Sequence, residues 1–246
     1  MNKKIIYFIF TFIFILSIQI YFQKNSTEKF NLKLNKIHQK INLDFGDMKE
    51  EYPEQIMILK HLNKNSRVFE LGPNIGRSSL IINYILDDKT QHLCIESNED
   101  SANKLKINRE KNNMKFSILN FAISNKPLYQ SGWDTYDEYK EGRELVKTTS
   151  LSEILNKYKI DFNTIVADCE GCLIQILKDN PKFINQINTI IIEHDFKSSD
   201  DYNYFIKLME DNKFKLTDSI SKKELNILDW KKEISNDELF ISVWSK

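Results

Sequence analysis

Glycine is scarce in this chain. There are six in 246 residues. Two of them, Gly72 and Gly76, fall within one short turn, which marks it as a place where backbone geometry matters. Cysteine is scarcer still: three, an odd number, does not make a disulfide framework. Excess charge is lacking too. The 35 basic residues balance 35 acidic ones, so charge neither implies nor excludes a polyanionic partner; no nucleic acid is expected. There is no internal repeat, no low-complexity tract and no convincing D-x-D pair of the kind a metal-dependent sugar-nucleotide transferase shows. The dinucleotide fingerprint G-x-G-x-x-G is also missing, which argues against NAD or FAD.

What the chain has first is a hydrophobic start. Met1 to Lys4 is short and cationic. Ile5 to Phe22 carries no charge, with Thr11, Ser17 and Gln19 as polar interruptions. That is near the lower end of what spans a bilayer as a helix. A cleaved signal peptide would show a shorter apolar core and an A-x-A-like site, and no alanine stands nearby. The expectation is a single-pass membrane anchor through residues 5–22, within a segment 1–22. A charged stalk over 23–48 and a folded domain over 49–246 follow it. Lysine and arginine counts on either side lean slightly to a cytosolic domain.

The folded part is organised around the stretch from Val68 to Ser79. Val68, Phe69 and Leu71 suit a buried strand. Gly72 and Gly76 bracket the turn, and Asn74 between them tolerates the left-handed region. Ser78 and Ser79 are placed to cap a helix carrying Leu80, Ile81, Ile82, Tyr84 and Ile85. Further strands are expected at 92–96, 116–121, 164–168 and 189–193, with a closing pair at 214–220 and 239–244. Helices are expected at 53–62, 99–112, 151–158, 173–177 and 201–211. Residues 124–149 read as polar and irregular, with Tyr129, Trp133, Tyr136 and Tyr139 among them. Strands alternating with helices predict an α/β, Rossmann-like fold, a mostly parallel sheet covered on both faces.

The chemistry concentrates at strand ends. Glu96 ends the second strand about 20 residues after Gly76, where an acid suits the two hydroxyls of a ribose. The ligand is therefore expected to contain an adenosine. An E-x-G-x-N-x-G turn with a downstream ribose acid suits S-adenosylmethionine, whose methionine carboxylate can meet helix N–H groups.

Here the chain resembles a known family. Glu70-Leu71-Gly72-Pro73-Asn74-Ile75-Gly76, Ile95-Glu96-Ser97-Asn98 and Asn120-Phe121-Ala122-Ile123-Ser124 occur in order. Asp168-Cys169-Glu170-Gly171-Cys172 and Ile190-Ile191-Ile192-Glu193 follow. This ordered set is similar to the FkbM-type S-adenosylmethionine-dependent methyltransferases over residues 50–195. The resemblance implies a class I methyltransferase sheet of seven strands, one antiparallel, and O-methylation of a sugar or other hydroxyl. The cofactor-binding candidates are Glu70, Gly72, Asn74, Gly76, Ser78, Glu96, Ser97, Asn120, Phe121 and Asp168. Asp168, Glu170 and His194 are the catalytic candidates. Asp168 and His194 are taken as groups that accept or orient a hydroxyl proton, and Glu70 as fixing the turn or the cofactor's amino group. The chain departs from the family pattern at Pro73, Ser152 and Leu173. Cys169 and Cys172 are expected to pack without metal or redox use. The acceptor is expected to be a small molecule or glycan. The alternative is a membrane-tethered, catalytically inactive binding protein on the same fold.

Overall fold

The computed structural model describes residues 28–225 and 238–246. Residues 1–40 and 41–246 form two separate units. In the first, residues 28–38 are helical. The expected anchor at 5–22 lies outside the described residues. Among those described, no helix is long and apolar enough to cross a membrane.

The second unit is built on one seven-stranded sheet. Its first three strands are β1 (Val68–Leu71), β2 (His92–Ile95) and β3 (Ser117–Leu119). Short strands follow: β4 (Ala122–Ile123), β5 (Leu128–Ser131), β6 (Asp134–Tyr136), β7 (Glu144–Val146) and β8 (Thr148–Thr149). The sheet then resumes with β9 (Thr164–Ala167), β10 (Thr189–Glu193), β11 (Lys215–Ser221) and β12 (Leu239–Ser245). The order across it is β11-β12-β10-β9-β1-β2-β3. β12 runs antiparallel to both its neighbours, and the pairs from β10 to β3 are parallel.

The helices are α1 (Tyr52–His61), α2 (Arg77–Ile85), α3 (Glu99–Lys111), α4 (Leu151–Tyr158), α5 (Cys172–Asp179) and α6 (Ser199–Asp211). Every residue of β1, β2 and β9 is buried, as a parallel sheet covered on both faces requires. Alternate side chains sort by face. Phe69, Leu71, Ile165 and Ile190 join one core with Ile154 of α4, Leu177 of α5 and Phe205 of α6. Phe69 sits edge-on to Phe162 at 5.0 Å. Truncating it to alanine would cost about 3–5 kcal/mol. The opposite parity carries Glu70, His92 and Cys94, all buried.

Three helices start as capping chemistry dictates. Asn98 accepts the Ser101 N–H before α3, Ser150 and Glu153 form a reciprocal box on α4, and Ser198 caps α6. The start of α2 differs from expectation. Gly76 is its N-cap, with φ 99° and no side-chain cap bond. Ser78 and Ser79 therefore lie inside the helix and are buried. The left-handed glycine turns the chain into the helix one residue before the serines can act.

Two further differences concern boundaries. Residues 41–48 belong with the second unit: Asn108 of α3 accepts the N–H groups of Asp44 and Phe45 at 2.9 and 3.2 Å. Residues 124–149 carry small sheets rather than irregular chain. β5 pairs with β6 and β7, and β4 with β8. These strands are two to four residues long, too short for alternation to stand out from turn composition.

Candidate active site

The parallel strands end along one edge of the sheet, and a cavity of about 690 Å³ opens there. This is where open α/β sheets bind ligands. Gly72 and Asn74 of the turn after β1, Glu96 and Ser97 after β2, and Phe121 after β3 line it. So do Asp168 and Glu170 after β9, Glu193 at the end of β10, and Glu54 in the first turn of α1.

The turn after β1 is fixed by close approach. Gly72 has φ 73°, and a Cβ there would lie 1.7 Å from the Asp168 carbonyl oxygen. Only glycine fits. Pro73 brings no N–H, but its carbonyl accepts the Gly76 N–H at 2.8 Å and closes the turn. Asn74 takes the left-handed conformation at φ 51°. Its N–H donates to Glu96 Oε2 at 2.9 Å, while Glu96 Oε1 accepts the Asn98 N–H at 2.8 Å. One buried carboxylate thus ties the first turn to the end of the second strand. Burial pushes the pKa of Glu96 up to about 7, although the two N–H bonds pull the other way. Asn120 holds the same corner from behind, donating to the carbonyls of Glu96 and Ser97 at 2.9 and 3.1 Å.

The other half of the cavity is a gathering of carboxyls. The Asp168 N–H donates to the Leu71 carbonyl at 3.1 Å, anchoring the turn after β9 against β1. Glu170 and Gly171 follow with φ 53° and 79°. Cys169 and Cys172 close this turn as a disulfide, Cα to Cα 5.4 Å. That corrects the expectation of simple packing: two left-handed residues in succession fold the chain back and bring the sulfurs together. The Cys169 N–H donates to Asp195 Oδ2 at 3.2 Å.

The β9–β10 register pairs Ala167 with Ile192, so Asp168 and Glu193 emerge side by side, and their carboxyls are hydrogen-bonded. Burial raises the pKa of Asp168. Burial and the neighbouring Asp168 push Glu193 up to about 12, so this pair holds a proton. Glu54 is 6% exposed, and among the described residues its Oε2 has no hydrogen-bond partner. Burial raises its pKa to about 8, helped by the charges of Asp168 and Glu51. Burial also raises Glu51 to about 7, against the pull of Arg77. Arg77 is spent locally, with Nη1 on Glu51 at 2.7 Å, Nη2 on Glu50 and Nε on the Asp47 carbonyl.

Of the residues singled out from sequence, Gly72, Asn74, Glu96, Ser97, Phe121, Asp168 and Glu170 come together on this cavity. Five sit elsewhere. Asn120 and Gly76 support its wall from outside. Ser78 is buried in α2. Glu70 is buried within β1 short of the cavity wall, where His92 Nε2 and Cys94 Sγ donate to its Oε2 at 2.8 and 2.9 Å. His194 turns away from the cavity, with Nε2 2.6 Å from Ser242 Oγ and its ring edge-on to Phe196. Sequence reasoning passed over Glu193 and Glu54. The first had a signal, since side chains alternate along a strand and Glu193, not His194, shares the parity that reaches Asp168. The second had none.

No protein-family model matches the sequence, and no curated protein matches it either. Solved structures resemble its chain path at low identity. An O-methyltransferase from Bacillus cereus in complex with S-adenosylhomocysteine is 12% identical, with 90% of this chain and 91% of that one covered at TM-score 0.46. A ribosomal protein L11 methylase from Lactobacillus delbrueckii subsp. bulgaricus is 12% identical, with 83% and 81% covered at TM-score 0.47. A protein in the NADB-Rossmann superfamily from Streptococcus agalactiae is 11% identical, with 83% and 69% covered at TM-score 0.48.

Proposed function

We propose that the domain is an S-adenosylmethionine-dependent methyltransferase of the FkbM type that O-methylates a hydroxyl of a sugar or other small acceptor. The observation that carries this reading is the link between Glu96 and Asn74. It fixes a glycine-bracketed turn and a buried acid on one wall of a cavity at the strand ends. The residues present fit the cofactor. The turn gives backbone access at Gly72, Glu96 retains lone pairs for ribose hydroxyls, and Phe121 offers a face for a base. When bound, the cofactor supplies a methyl group already activated by a sulfonium charge.

The chain's own residues do the rest. Asp168 stands beside the Gly72 turn, against which an acceptor hydroxyl would be positioned in line. With Glu193 sharing its proton, Asp168 is placed to accept the hydroxyl proton as the bond to carbon forms. His194 takes no part in this step, because its ring is committed to Ser242 on the far side. We also assign residues 5–22 as the membrane anchor, on the uncharged run from Ile5 to Phe22.

The test is calorimetric titration with S-adenosylhomocysteine, followed by labelled cofactor offered to a panel of glycans and small alcohols. Wild type should bind and transfer, and Asp168→Asn should bind yet transfer about 100-fold less. Equal transfer by the variant would remove Asp168 from the chemistry. Binding without transfer to any acceptor would favour the inactive tethered protein.

A further inference from the structure

The carboxyls outnumber what the cofactor and the turn use. Seven line the cavity: Glu50, Glu51, Glu54, Glu96, Asp168, Glu170 and Glu193. Against them, among the described residues, stands one lining cation, Arg77, already paired with Glu50 and Glu51. Glu96 is committed to two backbone N–H groups. Glu54, Asp168 and Glu193 remain, on α1 and at the ends of β9 and β10, away from the β2 end where Glu96 sits. Asp168 and Glu193 face each other through a hydrogen bond that needs a proton. Glu54 Oε2 is nine-tenths buried and, among the described residues, has no donor. A buried acceptor left without a donor costs about 1–3 kcal/mol, so this corner asks for a group that brings both donors and positive charge.

A neutral hydroxyl brings one donor and no charge, whereas an ammonium brings three donors and one charge. A metal ion suits the corner less well. Among the described residues, the one set of three metal-ligating side chains with donor atoms within 4.8 Å of one another is Glu70, His92 and Cys94, buried within β1 and β2 rather than on the cavity wall. Glu54, Asp168 and Glu193 do not form such a set.

We propose that the acceptor carries an amino group, held as an ammonium among Glu54, Asp168 and Glu193, so that the substrate class is an amino sugar or amino alcohol. This rests on the methyltransferase reading. It deepens that reading by naming the charge of the acceptor.

The test uses the full chain and two separate arms. One titrates S-adenosylhomocysteine. The other titrates glucosamine, ethanolamine and putrescine against glucose, ethylene glycol and butanediol, with and without S-adenosylhomocysteine. At least one amine should bind tenfold or more tightly than its neutral partner. Glu54→Gln and Glu193→Gln should each erase that preference while leaving S-adenosylhomocysteine affinity within about twofold. Two variants are used so that one misfolded protein, recognised by its melt, leaves the other to decide.

Failure of every amine to exceed its neutral partner overturns the proposal. So does a tenfold loss of S-adenosylhomocysteine affinity in both variants, which would give the corner to the cofactor's own amino group. If S-adenosylhomocysteine does not bind wild type, the methyltransferase reading fails by itself, and the amine arm is still read on the free protein.

Discussion

Replacing Glu54 with glutamine should stabilise the ligand-free protein, and only above mildly acidic pH. Burial lifts the pKa of this carboxyl from 4.5 to about 8. Between those values the unfolded chain has released the proton while the folded protein keeps it. The folded state then binds more protons, so stability falls as pH rises. The loss begins near pH 4.5, is complete near pH 8 and is constant beyond. Glutamine copies the protonated acid and removes this slope. Each tenfold change in proton affinity is worth about 1.36 kcal/mol, which gives a ceiling of about 5 kcal/mol at pH 8. Part of the rise comes from the charges of Asp168 and Glu51. Those charges weaken as the same groups take up protons, so the expected gain is on the order of 2–4 kcal/mol.

No hydrogen bond to Oε2 from the described residues is lost in the exchange. Urea or thermal melts at pH 5 and pH 8 are the assay. At pH 5 the two proteins should differ little. At pH 8 the variant should melt higher by about 5 °C or more for a domain of this size. Parallel curves at both pH values, or a variant weaker at both, would refute the claim that this carboxyl is held buried against its charge.

Gly72→Ala should lose more than about 3 kcal/mol or fail to fold, since its Cβ would strike the Asp168 backbone. Gly76→Ala should cost less by urea titration, because its first obstacle is the flexible tip of Leu105. Reducing the Cys169–Cys172 bridge should cost about 2 kcal/mol by loop entropy, seen as a lower melting temperature that Cys172→Ser also shows and that reductant no longer changes. His194→Ala should lower stability by about 1–3 kcal/mol through the lost contact with Ser242, yet leave S-adenosylhomocysteine affinity unchanged. Full-length protein should sediment with membranes and resist alkaline carbonate, and release by carbonate would rule out a permanent span at 5–22.

The sheet was legible because each central strand is an apolar run ending at a turn or an acid. Val68 to Leu71, His92 to Glu96, Thr164 to Asp168 and Thr189 to Glu193 all read this way from sequence, and their burial on both faces is the reason. The turn was legible for another reason. A chain with six glycines that puts two around an asparagine is specifying backbone conformation, and Gly72, Asn74 and Gly76 all have positive φ. The small sheets between β4 and β8 were not legible, because strands of two to four residues carry too few alternations to stand out. Nor was the disulfide. Its two cysteines are three residues apart, and the spacing alone does not reveal that Glu170 and Gly171 both turn left-handed.

The acidic corner shows where reading by strand ends stops working. Glu193 and His194 are adjacent, and the histidine is the more familiar catalytic base. Strand geometry decides between them. Ile192 pairs with Ala167, so the next residue on each strand, Glu193 and Asp168, falls on the cavity side. His194 falls on the other side, against Ser242, Phe196 and Tyr202. Parity along the strand was therefore enough to choose the acid. Glu54 is different in kind. It belongs to a helix that precedes the organising turn, and its neighbours Asp168 and Glu193 come from over a hundred residues later in the chain. Acids early in a helix are ordinarily there to favour its N-terminus. What sets this one apart is tertiary: α1 packs along β10 and β12, which carries Glu54 over the strand ends and strips it of water without giving Oε2 a donor. An acid so placed weakens the fold above about pH 5. Set beside a proton-sharing pair, it gives the corner the donor deficit that the proposed ammonium would fill.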